Sequence, residues 1–405
     1  MKRANMQKLH NRKRYFDELL AHKDKELIKI ITGIRRCGKS SLLELFKEHL
    51  KKQNAKFIHI NFESLEFEHL SDYKELYKYI KSKIKSGKYY LLFDEIQVVK
   101  DWQKAIESFR LDFECDIYIT GSNSHLLSGE FSTYLTGRFV EIKLLPLSFA
   151  EFLEFHELGN EFSLEDKFQK YLIFGGMPIL AQYKMDEINS FQALEGIISS
   201  ILQKDILARC DASYILLEKI TKFLASNIGS LTSPNNISSV LTSDKNSISR
   251  NSVDKYIKLL TSSFVFYEAN RYDIKGKALL KTGQKYYIAD TGFLGVFFGR
   301  RDSDFGHILE NIVFLELLRR GYSVQIGKIG ELEIDFVASN PKEKIYIQVS
   351  QSIMDEKTLN RELRALQSIP DNYEKIIISM DKNYALSIEG IKIKNAIQWL
   401  LEMEL

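Results

Sequence analysis

The sequence predicts an α/β protein whose amino-terminal part is a parallel, doubly wound sheet, followed by helical and smaller mixed segments. From Leu27 to about Phe149, short β-branched or aromatic runs alternate with stretches of helical apolar spacing, the rhythm of successive βαβ units. A glycine-rich turn joins the first run to a helix. A later apolar run ends in two adjacent carboxylates, and strand ends of that kind line the ligand crevice of a parallel sheet.

The strands are read from Leu27 to Thr32, Phe57 to Phe62, Tyr89 to Phe93 and Asp116 to Thr120. Between them, Ser40 to Lys52 and Trp102 to Phe113 carry apolar residues at helical spacing. After Ser148 the strand rhythm stops, and a helical stretch reaches about Cys210, broken by Gly175, Gly176 and Pro178; this marks a lid or connector. Three helix-like stretches follow, Tyr214 to Ile228, Ile237 to Leu241 and Ser249 to Leu260, with a Ser/Asn-rich loop from Ser230 to Asn236 between the first two. Extended runs come next, Phe264 to Tyr272 and Lys285 to Ile288. Three helices and a hairpin are the order of a winged helix. The last hundred residues begin with an amphipathic helix, Leu309 to Arg320, and add strand-like runs from Ser323, Glu333, Lys344 and Lys375, a second and smaller α/β unit. A chain of 405 residues exceeds one ordinary core, and the expected division is 1–150, 151–211, 212–300 and 301–405.

The composition, 44% hydrophobic and 27% charged, is that of a globular protein. The net charge of +3 does not by itself indicate nucleic-acid binding, but basic residues cluster at Arg12, Lys13 and Arg14 and again at Arg271, Lys275, Lys277, Lys281 and Lys285. Cys37, Cys115 and Cys210 are far apart and lack metal-ligand spacing, which fits a reduced, cytoplasmic setting. No run approaches the ~18 apolar residues of a membrane span, so no membrane partner is expected.

Gly33, Ile34, Arg35, Arg36, Cys37, Gly38, Lys39 and Ser40, followed by Ser41, fit G-x-x-x-x-G-K-[ST] between an apolar strand and a helix, the context that this phosphate loop requires. Its glycines let backbone N–H groups turn toward phosphate oxygens, the helix N-terminus adds its positive end, and Lys39 adds a point charge. ATP and Mg2+ are the expected cofactors, with Ser40 as a magnesium ligand. Asp94 would reach the metal through its water shell, and Glu95 would orient or deprotonate the attacking water. Beyond the next strand, Ser122 or Asn123 is placed to sense the terminal phosphate. Arg138, before the run from Phe139 to Leu145, suits stabilisation of transition-state charge in a neighbouring subunit's site, which would make the protein a homo-oligomer.

Taken together, Gly33 to Ser41, Asp94-Glu95-Ile96-Gln97, Thr120-Gly121-Ser122 and Leu135-Thr136-Gly137-Arg138-Phe139 resemble the AAA-type ATPases of bacteria and archaea that carry a C-terminal domain of unknown function, DUF4143. Phe174-Gly175-Gly176-Met177-Pro178, Lys204-Asp205-Ile206-Leu207-Ala208-Arg209 and Ala289-Asp290-Thr291-Gly292-Phe293 extend the resemblance over nearly the whole chain. It implies an AAA-type P-loop NTPase core, a winged helix and a terminal PD-(D/E)XK domain, the restriction-endonuclease-like fold. Nucleases of that fold join a helix glutamate, a strand aspartate and an E-x-K or Q-x-K pair at one metal. Glu310 (or Glu316), Asp335 and Gln348 stand in that order, but position 350 is serine, which cannot stabilise developing phosphate charge as lysine does. An inactive relic site is the expectation, with Lys344 or Lys357 as candidates to replace the missing lysine.

Two partners follow from this organisation. One is DNA, with the helix from Ser249 to Leu260 entering the major groove and the basic stretch from Arg271 to Lys285 touching phosphates. The other is a protein partner bound by the same module, with ATP acting as a switch.

Overall fold

The computed structural model describes residues 10–124, 137–209, 213–243, 248–280, 283–299, 305–382 and 385–402. The chain divides into two units, the first reaching Leu144 and the second beginning at Leu145.

The first unit is built on five parallel strands, β1 (Ile28–Thr32), β2 (Phe57–Asn61), β3 (Tyr89–Asp94), β4 (Cys115–Gly121) and β5 (Phe139–Lys143), in the order β2-β3-β4-β1-β5. A parallel sheet is covered on both faces, so its strands read as continuous apolar runs; all five residues of β1 are buried. One face packs Ile30, Leu91, Phe93, Ile117 and Ile119 against Leu76, Ile80, Ile106 and Phe109. β4 lies between β1 and β3, in register Ile31↔Thr120 and Phe93↔Ile119. The ends of the loop strand, the carboxylate strand and the Ser122 strand therefore meet on one edge. Inside this sheet Lys29 is fully buried, its Nζ 2.5 Å from Asp116 Oδ1, an ion pair that the apolar reading of this run does not anticipate.

The second unit opens with helices Phe149–His156, Leu164–Phe174 and Glu187–Ser200. The first starts with a capping box, Ser148 and Glu151 satisfying each other's backbone N–H. Helices Tyr214–Ser226, Pro234–Ser243 and Arg250–Ser262 follow. The second of these starts inside the expected loop, because Pro234 suits the first helical turn, where its missing N–H is not needed.

The expected hairpin is present in part. The first extended run is divided: β6 (Phe266–Ala269) pairs antiparallel with β9 (Lys285–Ile288), whereas β7 (Arg271–Asp273) leaves to lie parallel to β10 (Ser323–Ile329). With β8 (Ala278–Leu279) it closes one side of an eight-stranded sheet whose other members are β10, β11 (Leu332–Ser339), β12 (Lys344–Ser350), β13 (Glu374–Ser379), β14 (Ser387–Ile388) and β15 (Ile391–Asn395). Lys275 and Lys277 of the basic stretch thus lie in the β7–β8 turn at the edge of this sheet, whereas Lys285 lies in the two-stranded β6–β9 pair. Helix Phe305–Arg319 packs on β10 and β12. Among the described residues no helix is long and apolar enough to cross a membrane.

Candidate functional site: a phosphate loop with two ordered carboxylates

The phosphate loop leaves β1 at Gly33 and enters helix Lys39–Lys52 directly after Gly38. Gly33 has φ +145° and Gly38 φ +105°, backbone that L side chains rarely adopt, and a Cβ on Gly33 would stand 2.1 Å from the Leu144 carbonyl oxygen. Lys39 folds over the loop, its Nζ donating to the Gly33 and Ile34 carbonyls at 3.0 and 3.2 Å and standing 3.8 Å from Glu95 Oε1. Arg35 reaches Glu63 at 3.2 Å, while Arg36 and Ser41 are exposed. Cys37 is fully buried, and burial pushes its thiol up, so it stays protonated.

Arg12 corrects the sequence reading. Grouped there with a basic surface cluster, it is buried, and its Nη1 donates to the Cys37 carbonyl inside the loop at 3.2 Å.

Asp94 and Glu95 end β3 as expected. Asp94 is 2% exposed and receives three hydrogen bonds: Thr120 Oγ1 and Ser40 Oγ donate to Oδ1 at 2.5 and 3.1 Å, and Asn61 Nδ2 donates to Oδ2 at 3.1 Å. Burial raises its carboxyl above the ordinary aspartate range, against the lowering effect of Thr120 and Ser40. Two hard oxygen donors, the Ser40 hydroxyl and the Asp94 carboxylate, stand together at the loop, the chemistry that magnesium prefers. Glu95 has φ +55°, left-handed backbone uncommon outside glycine, and its N–H donates to Thr120 Oγ1 at 2.9 Å. Its Oε2 accepts from Gln97 Nε2. Thr120 thus orients both acids through one hydroxyl. Sequence reasoning assigned no role to Thr120 or Asn61; the available signal was a polar residue at the end of each strand flanking β3.

Ser122 is 1% exposed, and its hydroxyl has no hydrogen-bond partner among the described residues; Asn123 is buried beside it. Both follow β4, between the loop strand and the carboxylate strand. Arg138 precedes β5, whose Phe139 is level with Ile28, so it sits at the end of the sheet away from its own phosphate loop, roughly 20 Å along the strands from Gly33 at ~3.3 Å per residue. It is half exposed and pairs with Glu107 at 2.5 Å. Leu135 and Thr136 lie outside the described residues.

In the second unit one carboxylate joins the Phe174–Pro178 and Ala289–Phe293 segments. Asp290 Oδ2 accepts from Gly176 N–H at 2.6 Å and Oδ1 from Gly292 N–H at 3.0 Å. The C-terminal candidates also converge in part. Asp335 N–H donates to Gln348 Oε1 at 2.6 Å, and Glu310 approaches the same place; Glu316 instead binds Arg319 and Arg320. Lys344 stands among Tyr272, Tyr346 and Tyr373 and not at this cluster. Lys285 corrects the reading of the basic stretch: it is 4% exposed and points into the carboxylates. Lys275 and Lys277 are exposed, and Lys281 lies outside the described residues.

A loop after β1, ordered acids on β3 and an intervening β4 define an AAA-type P-loop ATPase fold. Residues 25–153 match the family described as AAA domain, and residues 165–304 match a domain of unknown function, DUF8612, which replaces the expected DUF4143. The chain is 41% identical over 399 residues to an uncharacterized protein of Haemophilus influenzae, covering 97% of this chain and 98% of that one. It is 31% identical over 367 residues to an uncharacterized protein of Methanocaldococcus jannaschii, covering 86% and 78%. The chain belongs to one family with these two proteins. Among solved structures, a Walker-type ATPase of Pyrococcus abyssi shares the fold, with TM-score 0.52 and 17% identity over 71% of this chain and 95% of that one.

Proposed function

We propose that this chain binds ATP with Mg2+ at Gly33 to Ser41, hydrolyses it with Glu95 as the base, and couples nucleotide state to contact with duplex DNA in the cytoplasm. The observation that carries the reading is the convergence of Ser40, Asp94 and Glu95 on one edge of the sheet, held by Thr120. Lys39 binds the β- and γ-phosphates, Ser40 and Asp94 hold the metal, Ser122 or Asn123 senses the γ-phosphate, and Arg138 completes a neighbouring subunit's site in a homo-oligomer.

The DNA-facing element is helix Arg250–Ser262 in a segment, 212–300, with the helix order of a winged helix. What supports it is the exposed polar face formed by Arg250, Asn251, Lys255 and Lys258, the last paired with Asp254 of the same face at 2.7 Å, with Lys275 and Lys277 on the edge strands' turn. The connector 151–211 and a nuclease-like but inactive segment 301–405 complete the division. Reversing the charges of Lys255, Lys258, Lys275 and Lys277 abolishes duplex binding, and wild-type binding falls steeply with salt. Salt-insensitive binding, or duplex affinity unchanged by the reversal, contradicts the DNA assignment.

A second reading has its own observation. Tyr214, Ile215, Leu231 and Val240 are apolar and exposed on or beside the first two helices of the same segment, at 37%, 67%, 39% and 43%. A protein partner covering them would survive the charge reversal and fail with Ile215→Asp.

A further inference from the structure

Two of the residues that the nuclease resemblance assigns to a metal, Glu310 and Asp335, are already joined to a cation of the chain's own. Glu333 and Asp335 alternate along β11 and share a face. Glu310 faces them from helix Phe305–Arg319. Between them enters Lys285 from β9, with Nζ 3.0 Å from Glu310 Oε1, 2.9 Å from Glu333 Oε1 and 4.0 Å from Asp335 Oδ1. The remaining groups are engaged too. Tyr287 Oη donates to Glu310 Oε1 at 2.7 Å, and His307 Nδ1 stands 3.8 Å from Oε2. Val349 N–H donates to Asp335 Oδ2 at 2.8 Å, and Gln348 is held between Asp335 N–H and Glu362.

A divalent ion needs several of these oxygens at 2.0–2.6 Å and free of other donors. The ammonium holds Glu310 and Glu333 at hydrogen-bond distance and stands within ion-pair reach of Asp335. Burial disfavours its charge, but Glu310, Asp335 and Glu333 outweigh burial and raise it above the ordinary lysine value. The residues present therefore do not fit a metal.

We propose that Lys285 is a built-in cation: its ammonium stands where a divalent metal would bridge Glu310, Glu333 and Asp335, making the cluster an ionic tie between β9 and β11 and not a metal-dependent cleavage centre. This stands apart from ATP turnover and from DNA contact. It also explains why a lysine in a basic stretch is among the chain's buried residues: its partner is internal.

The test is Mn2+ titration of the nucleotide-free, full-length protein, followed by the spin-resonance signal of free Mn2+. Wild type and Asp335→Asn are expected to give superimposable isotherms. Lys285→Met, which removes the ammonium and keeps the apolar stem, is expected to gain one Mn2+ equivalent that Lys285→Met with Asp335→Asn loses. A wild-type Mn2+ site that disappears in Asp335→Asn but persists in Asp94→Asn overturns the proposal, as does a folded Lys285→Met that gains none. If Lys285→Met does not fold, the wild-type comparison still decides, and Mn2+-dependent plasmid cleavage that requires Asp335 overturns the proposal independently.

Discussion

One hydroxyl governs the two acids of the nucleotide site. Thr120 Oγ1 donates to Asp94 and accepts from the Glu95 N–H, so it fixes the carboxylate beside Ser40 and the backbone of the residue assigned as base. Thr120→Val keeps shape and removes both bonds. Its kcat is expected to fall roughly 10- to 100-fold, the size of a lost hydrogen bond to a charged group, about 1.5–3 kcal/mol. ATP affinity, read by titration of a fluorescent analogue, stays near wild type; loss of affinity with unchanged kcat would contradict the assignment. Lys39→Ala is expected to lose binding in the same titration, because the loop's point charge goes with it. The phosphate loop was legible because G-x-x-x-x-G-K-S and its flanking strand and helix lie within one short stretch of chain. Thr120 and Asn61 were not, because strand order alone brings their ends beside Asp94.

At the scale of elements, Asp290 fastens the Gly175-Gly176 turn to the start of helix Gly292–Phe298. Burial pushes its carboxyl up to about 7, against the two backbone donors. An unfolded aspartate titrates near 4, so between those values the folded state alone holds the proton. Stability from this group is therefore greatest at low pH, declines as pH rises through that window and levels off above it. Asp290→Asn lacks the titration. The gap in Tm between wild type and variant is expected to narrow as pH rises from about 5.5 to about 7.5; a gap independent of pH would contradict the assignment. Elements were also where the sequence misled. The run from Phe264 to Tyr272 reads as one strand, although Glu268, Ala269 and Asn270, residues depleted in strands, stand where the chain passes from the β6–β9 pair to the β10 edge. Lys285 looked like one more surface cation, since sequence shows charge but not the carboxylates that two distant segments, helix Phe305–Arg319 and β11, bring to it.

For the whole molecule, a nucleotide site and an exposed basic helix face lie on one chain. Duplex DNA is expected to raise ATP turnover, and the charge-reversed helix to leave basal turnover intact while removing the stimulation. Stimulation that survives the reversal would move the contact elsewhere. The fold class was legible from alternation alone, and the AAA-type site from motif spacing; the partner was not, because exposure of one helix face is a property of the packed molecule. The central claim remains hydrolysis at Asp94 and Glu95. Its most direct test is Mg2+-dependent phosphate release by wild type and Glu95→Gln, with nucleotide binding measured on the same samples. The variant should bind ATP as wild type does and release phosphate about 10²–10⁴ times more slowly; release at the wild-type rate would remove Glu95 from catalysis and contradict the account.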